Sequence, residues 1–175
     1  GRMAEKHGGT KFGPYLDDIA DFVSFGLAPA YIIFKSEGTL ALTFGLIYVA
    51  GVAYRLIRFI AFDKKRTDLP DGIFNGLPSP AGALIVLGAA LVVPADYLWL
   101  IAALSVGLMI SHIRFAHLGR VVLKHVPKPL FFLMSSSIIV CIALILKTKS
   151  VQIFGLLILA SVIAYMIAGR KWLKH

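Results

Sequence analysis

The sequence is poor in charged residues and almost free of cysteine. Charged residues make up 15% of the 175-residue chain, whereas soluble globular domains contain about 25%. The single cysteine, Cys141, excludes an intrachain disulfide. Hydrophobic residues make up 58% of the chain instead, and the mean hydropathy is +0.83. This composition disfavours a water-soluble domain, and we expect residues 1–175 to form one integral membrane domain.

The signatures of several enzyme classes are also absent. The chain has no Ser-His-Asp set, no phosphate-binding loop with Gly-Lys-Ser and no cysteine cluster for zinc. Acidic residues are scarce, 9 against 18 lysines and arginines, so the formal net charge is +9. In a soluble chain this excess would suggest nucleic acid. Here the basic residues lie between apolar stretches, which indicates contact with anionic lipid headgroups and no nucleic-acid partner.

Apolar stretches of helical length recur along the chain and predict an all-α bundle of about six membrane-spanning helices. They lie at about residues 13–34, 39–62, 80–93, 97–112, 129–146 and 151–168. With the N-terminal segment in the cytoplasm, only Lys35, Lys147 and Lys149 of the 18 basic residues face the opposite side. The positive-inside rule therefore predicts a multi-pass protein of the cell membrane.

Glycines inside the apolar stretches are candidates for close contacts between helices. Small residues let membrane helices approach each other, because they bring the two backbones closer together. The positions predicted for such contacts are Gly45, Gly51, Gly82 and Gly88.

Three acids enter the first predicted span. Asp17 and Asp21 are four residues apart and share one helix face, whereas Asp18 flanks them. A carboxylate at the centre of a membrane helix costs about 2.5–3.5 kcal/mol. The co-facial pair is therefore expected to hold a cation or to relay protons, at the cytoplasmic interface. The alternative is a helix start in the cytosol, where acids favour the helix dipole.

The same acids belong to a longer pattern. Gly13-x-x-x-Asp17-x-x-x-Asp21 resembles the second half of the signature of the CDP-alcohol phosphotransferase family. Gly1-Arg-Met-Ala4 is similar to the Gly-x-x-Ala piece of the first half. The run from Lys11 to Ala30 resembles the phosphatidylserine synthase branch of this family.

Two departures from the signature bear on the site. Its first two aspartates should precede Gly1, and the sequence opens without methionine, so we expect an N-terminal piece beyond it. Glu5 stands where the family has arginine, and the adjacent Lys6 is a possible substitute for that basic contact.

The resemblance implies transfer of the phosphatidyl group of CDP-diacylglycerol to the hydroxyl of L-serine, with release of CMP. It implies that Asp17 and Asp21 bind a pair of Mg²⁺ or Mn²⁺ ions, and that Asp21 takes the proton of the attacking hydroxyl. A homodimer in the lipid bilayer is expected as well, because the family often forms dimers. The residues expected to contact the nucleotide or the lipid phosphate are Gly1, Ala4, Lys6 and Gly13.

A second group of candidates lies at the cytoplasmic end of the second predicted span. Arg55 and Arg58 share a helix face, and the arginine fork matches two oxygens of a carboxylate or phosphate. The alternative is snorkelling at the membrane interface. The Arg-x-x-Arg-Phe segment and the Gly-Leu-Pro-x-Pro-Ala loop at 76–81 are both similar to the serine synthase branch. By that resemblance Arg55 and Arg58 bind the serine carboxylate or the lipid phosphate.

Asn75, just before that loop, and Ser79, within it, are the other substrate-binding candidates. The Gly-Leu-Pro turn would otherwise only fix how the loop leads into the next helix. Two further alternatives concern the function. Within the family, the acceptor could be glycerol phosphate, inositol or another alcohol. From a different class, six spans with buried acids and arginines could form a cation- or proton-coupled transporter.

Overall fold

A computed structural model describes residues 13–36, 38–61, 73–116 and 147–171, together with 136, 139–140 and 142–144. Three predicted site residues, Gly1, Ala4 and Lys6, lie outside these ranges. Most of the predicted span at 129–146 lies outside them as well.

The described chain is mostly helical, which confirms the predicted all-α class. The first span is one continuous helical segment in which a π-helical turn joins two α-helices, and a 3₁₀ turn leads into a later helix. The elements are α1 (Gly13–Phe22), the π turn (Val23–Leu27), α2 (Ala28–Lys35), α3 (Ala41–Ala61), β1 (Ile73–Asn75), α4 (Ser79–Ala90), the 3₁₀ turn (Ala95–Tyr97), α5 (Leu98–Ile110), β2 (Arg114–Ala116) and α6 (Gln152–Lys171).

Five helical segments coincide with predicted spans, at 13–35, 41–61, 79–90, 98–110 and 152–171. Among the described residues, only α3 is both long and apolar enough to cross a membrane by itself. Helices α4 and α5 and most of α6 are apolar but shorter. The number of six spans stays a prediction.

The π turn in the first segment adjoins Pro29, which is buried near the start of α2. Proline has no backbone N–H, so Pro29 cannot donate the ordinary helical bond to the Phe25 carbonyl. The hydroxyl of Tyr48 in α3 donates to that carbonyl at 3.1 Å. Tyr48 is fully buried, so this bond ties α3 to the first segment at the site where the helix is irregular.

The helices pack around an apolar core and leave an apolar outer surface. Helix α3 packs against α2 and α5, while α4 packs against α5 and α6. On α3, Leu42, Leu46 and Ile57 are about as exposed as surface residues of a soluble protein, whereas Arg55 is only 8% exposed. Apolar side chains outside and an arginine inside are the distribution expected in an apolar solvent.

The predicted glycine contacts are confirmed. A Cβ added at Gly51 would lie 2.7 Å from Val106 of α5, and one at Gly82 would lie 2.9 Å from the Met109 sulfur. Gly45 and Gly88 are similarly crowded. Gly155 of α6, which the sequence analysis did not single out, would place a Cβ 2.7 Å from the Gly88 carbonyl oxygen. Close approach without Cβ atoms therefore sets the spacing of these helices.

A short antiparallel ribbon joins two segments that lie between predicted spans. Strand β1 pairs with β2 in the register Ile73↔Ala116, Phe74↔Phe115 and Asn75↔Arg114. The all-α prediction included no strand at these residues. Strands of three residues are too short to show a period in the sequence, and their pairing depends on the helices that bring them together.

Candidate active site

The carboxyl-terminal part of α3 carries the most completely buried charge among the described residues. Arg55 is 8% exposed, and its Nη1 donates a hydrogen bond of 2.9 Å to the Ser79 hydroxyl. The Arg55 guanidinium also lies over the Phe59 ring, 5.8 Å from its centroid. A buried cation is costly unless hydrogen bonds and nearby charges compensate it. The Ser79 bond and the aromatic face are two of those compensations.

Arg58, one turn further along α3, has different partners. Its Nη1 donates to the Ile110 carbonyl at 2.8 Å, and its Nη2 donates to the Asn75 carbonyl at 2.6 Å. A longer bond of 3.4 Å links Nη2 to Met109. Arg58 thus joins α3 to the end of α5 and to the end of β1. We call this region the arginine end of the bundle, defined by Arg55, Arg58, Ser79 and Ile110.

A tight turn between β1 and α4 completes the arginine end. Gly76 has a φ of +79°, a backbone conformation that glycine adopts readily and other residues rarely do. Its N–H donates to the Ile113 carbonyl at 2.8 Å, and the N–H of Leu77 donates to Leu108 at 2.9 Å. A Cβ on Gly76 would collide with the Met109 carbonyl. Ser79, two residues after Leu77, is the first residue of α4.

The acids of α1 lie beside this end. Asp17 and Asp21 are exposed, and Asp18 is half-buried. Arg55 is close enough to Asp21 for an electrostatic interaction. The Tyr48–Phe25 bond agrees with this placement, because α1 and α3 run in opposite directions and Asp21 lies one turn before Phe25.

The carboxylates fit one part of a metal site. Within the residues that the structure describes, no group of three or more His, Cys, Asp or Glu side chains could hold a metal ion. Asp17 and Asp21 nevertheless offer two exposed carboxylates on one helix face. Hard cations such as Mg²⁺ often bind through one or two carboxylates and take their other ligands from water and substrate phosphates. The donor chemistry therefore suits Mg²⁺ or Mn²⁺.

The structure brings together most of the predicted site residues that it describes. Arg55 and Ser79 are in direct contact, Arg58 bonds the backbone of Asn75, and Asp21 lies near Arg55. Gly13, the first residue of α1, lies two turns before Asp21 and is not linked to the arginines by any described bond.

Tyr165 is a residue at this end that the sequence analysis missed. Its hydroxyl donates to the Ala116 carbonyl at 2.7 Å, and it lies close enough to Arg55 for an electrostatic interaction. Tyrosine in an apolar helix is too common to signal such a role in the sequence. Only the packing of α6 against β2 places it there.

Comparison with known proteins gives one family. The model of the CDP-alcohol phosphatidyltransferase family matches residues 1–113, a range that includes α1 to α5 and ends just before β2. A CDP-diacylglycerol–serine O-phosphatidyltransferase of Methanocaldococcus jannaschii is 40% identical over 118 residues, which are 66% of this chain and 55% of that protein.

Two bacterial relatives bear the same name. The Mycobacterium leprae protein is 35% identical over 94 residues, 50% of this chain and 31% of its own length. The Mycobacterium tuberculosis protein is 32% identical over 84 residues, 45% of this chain and 29% of its own length. The chain thus spans about half or less of the length of these curated relatives.

Proposed function

Because the chain belongs to the CDP-alcohol phosphatidyltransferase family, we propose that it makes phosphatidylserine in a membrane. The reaction transfers the phosphatidyl group of CDP-diacylglycerol to the hydroxyl of L-serine and releases CMP. Support comes from the relatives, which are named for this reaction, and from the family match, which covers the acids and the arginines.

One structural observation carries the proposal furthest: a buried arginine, hydrogen-bonded to Ser79, lies beside the helix that bears Asp17 and Asp21. Cationic and anionic groups side by side suit a reaction between a pyrophosphate and an amino acid. The acids suit a metal ion that accompanies the pyrophosphate. Arg55 suits the serine carboxylate or the lipid phosphate, since its planar fork matches two oxygens.

Asp17 and Asp21 would hold the divalent cation, Mg²⁺ or Mn²⁺. When bound, such an ion supplies positive charge that stabilises the leaving CMP. This role needs only the hard oxygen donors that the two side chains present.

Asp21 would also act on the nucleophile. In the proposed step, Asp21 accepts the proton of the serine hydroxyl while the serine oxygen attacks the phosphorus that bears the diacylglycerol. A new P–O bond to serine forms, and the P–O bond to CMP breaks. Arg55 holds an anionic substrate group, Ser79 orients the guanidinium, and the buried surroundings strengthen both interactions.

We further propose that the chain crosses the membrane six times, with the arginine end at the cytoplasmic face, and that it forms a homodimer. The charge distribution supports the orientation, because few basic residues fall on the opposite side. The lipid tails would lie among the apolar outer surfaces of the helices, and the nucleotide and serine would enter from the cytoplasm.

A CMP-release assay on the purified full-length protein in detergent tests the function. We expect release from CDP-diacylglycerol that requires L-serine, is lost with EDTA and returns with Mg²⁺ or Mn²⁺. Asp21→Asn should lower the rate by at least about 100-fold, the usual contribution of a general base. Asp96→Asn, at the opposite end of the bundle, is the matched control and should have no effect.

CMP release with glycerol phosphate or inositol but not with serine would overturn the assignment of serine as the acceptor. Absence of CMP release with every alcohol would overturn the enzyme activity itself.

A further inference from the structure

Arg55 and Arg58 look equivalent in the sequence, but their described bonds differ in kind. The described Arg55 bond goes to a side-chain hydroxyl, that of Ser79. The described Arg58 bonds go to main-chain carbonyls, those of Asn75, Met109 and Ile110. These carbonyls belong to the framework of the site.

Two of these carbonyls lie at the end of α5, where backbone oxygens lack helical donors. Arg58 therefore caps α5 from a neighbouring helix, and its positive charge suits the negative end of the helix dipole. The third carbonyl, that of Asn75, lies at the end of β1. A single guanidinium thus joins α3, α5 and the ribbon.

The turn at Gly76 lies inside this junction. A Cβ added at Gly76 would be 2.8 Å from Nη2 of Arg58, and it would collide with the Met109 carbonyl. The amide of Gly76 donates to the carbonyl of Ile113, between α5 and β2, and the amide of Leu77 donates to the carbonyl of Leu108, in the last turn of α5. Arg58 and these two amides hold the same turn from different sides.

This turn leads directly to Ser79, the partner of Arg55. Pro78 precedes α4, and Ser79 is its first residue. Because only three residues separate Asn75 from Ser79, a shift of the turn moves the Ser79 hydroxyl away from Arg55.

We propose that Arg58 is a positioning residue: it fixes the Gly76 turn and thereby Ser79 and Arg55, and it does not contact the substrate. This inference rests on the proposed function where it concerns catalysis. It revises the sequence-based expectation that both arginines bind substrate.

A double-mutant cycle tests the catalytic part. We expect Arg58→Ala to lower kcat/KM by about 10- to 100-fold, and Arg55→Ala to lower it more, as for loss of a charged hydrogen bond. When Arg58→Ala is added to a protein that already carries Arg55→Ala, kcat/KM should fall by less than about threefold, because Arg58 acts through Arg55. If Arg58→Ala lowers kcat/KM by the same factor in the wild type and in Arg55→Ala, the proposal is overturned.

Hydrogen–deuterium exchange tests the structural part without any activity. In Arg58→Ala the amides of Gly76 and Leu77 should exchange at least about tenfold faster, whereas those in the middle of α3 should keep their rates. In Arg55→Ala the same two amides should stay protected. Unchanged exchange at Gly76 and Leu77 in Arg58→Ala would overturn the proposal that Arg58 fixes the turn.

Arg58→Lys is the second variant if Arg58→Ala does not fold. Lysine keeps the charge but cannot span carbonyls of two elements with a planar fork, so exchange should again rise at Gly76 and Leu77. Full protection in Arg58→Lys would contradict the role of the fork. If the wild-type protein releases no CMP, the proposed function fails. The exchange experiment still decides whether Arg58 fixes the Gly76 turn.

Discussion

At the scale of single residues, the fold gives similar side chains different surroundings. Ser79 and Ser105 are both buried serines near the same helix, α4. The Ser79 hydroxyl accepts a bond from Arg55, whereas the Ser105 hydroxyl donates to the Gly82 carbonyl at 3.0 Å. Only the first of these bonds holds a charged group, so the two serines differ in what their removal would change.

Ser79→Ala should raise the KM for serine or for CDP-diacylglycerol by about tenfold, since a hydrogen bond to a charged group contributes about 1.5–3 kcal/mol. The mutation releases the Arg55 guanidinium from its described anchor without removing its charge. Steady-state CMP release at varied concentrations of each substrate measures the effect.

Ser105→Ala is the matched control, because it also deletes a buried hydroxyl that bonds across two helices. Its KM values should equal those of the wild type. Equal kinetic effects of the two mutations would mean that Ser79 contributes only to packing.

At the scale of elements, the spacing of the helices depends on missing side chains. Gly155 of α6 faces α4 so closely that a Cβ would lie 2.6–2.7 Å from Val92, the Gly88 oxygen and Leu91. One of these atoms belongs to the backbone, so the helix itself would have to move. Gly107 in α5 differs, because a Cβ added there would have no atom of the described residues within 4 Å beyond its own helix and chain neighbours.

Gly155→Ala should lower the free energy of unfolding by about 1–3 kcal/mol, the usual cost of overpacking. Gly107→Ala should leave it unchanged or raise it by up to about 1 kcal/mol, because alanine is the better helix former. Thermal unfolding in detergent compares the two. A Gly155→Ala protein as stable as Gly107→Ala would show that α4 and α6 are not in close contact.

The elements also show what a sequence can predict and what it cannot. The helices at 13–35 and 41–61 could be predicted from apolar stretches, because the hydropathy of neighbouring residues can be read directly from the sequence. The β1–β2 ribbon does not follow, since its register depends on contacts between residues about forty positions apart. The same limit applies to the site: Arg55 was a candidate by its residue type, but its bond to Ser79 spans 24 positions.

At the scale of the whole molecule, the predicted topology assigns all of the 18 lysines and arginines except Lys35, Lys147 and Lys149 to one side of the membrane. The arginine end carries the buried Arg55, and His112 is exposed there beside β2. Thr39 is exposed at the opposite end, between α2 and α3. The positive-inside rule assigns the first of these ends to the cytoplasm.

Cysteine labelling in cells tests this orientation. In a Cys141→Ser background, a cysteine introduced at Thr39 should react with a membrane-impermeant maleimide added outside. A cysteine introduced at His112 should react only after the membrane is permeabilised. The reverse pattern would invert the topology, and labelling of both positions from one side would contradict an odd number of crossings between them.

Hydropathy and the spacing Gly13-x-x-x-Asp17-x-x-x-Asp21 are local properties of the chain, and they were enough to predict the all-α class, the places of the described helices and the family. The residue type and position of Arg55 also made it a candidate. Only the tertiary structure separated Arg55 from Arg58, because the carbonyls that Arg58 bonds lie 17 and 52 positions away. Partners so distant in sequence are chosen by the packing of α3 against α5 and the ribbon, which no local pattern encodes.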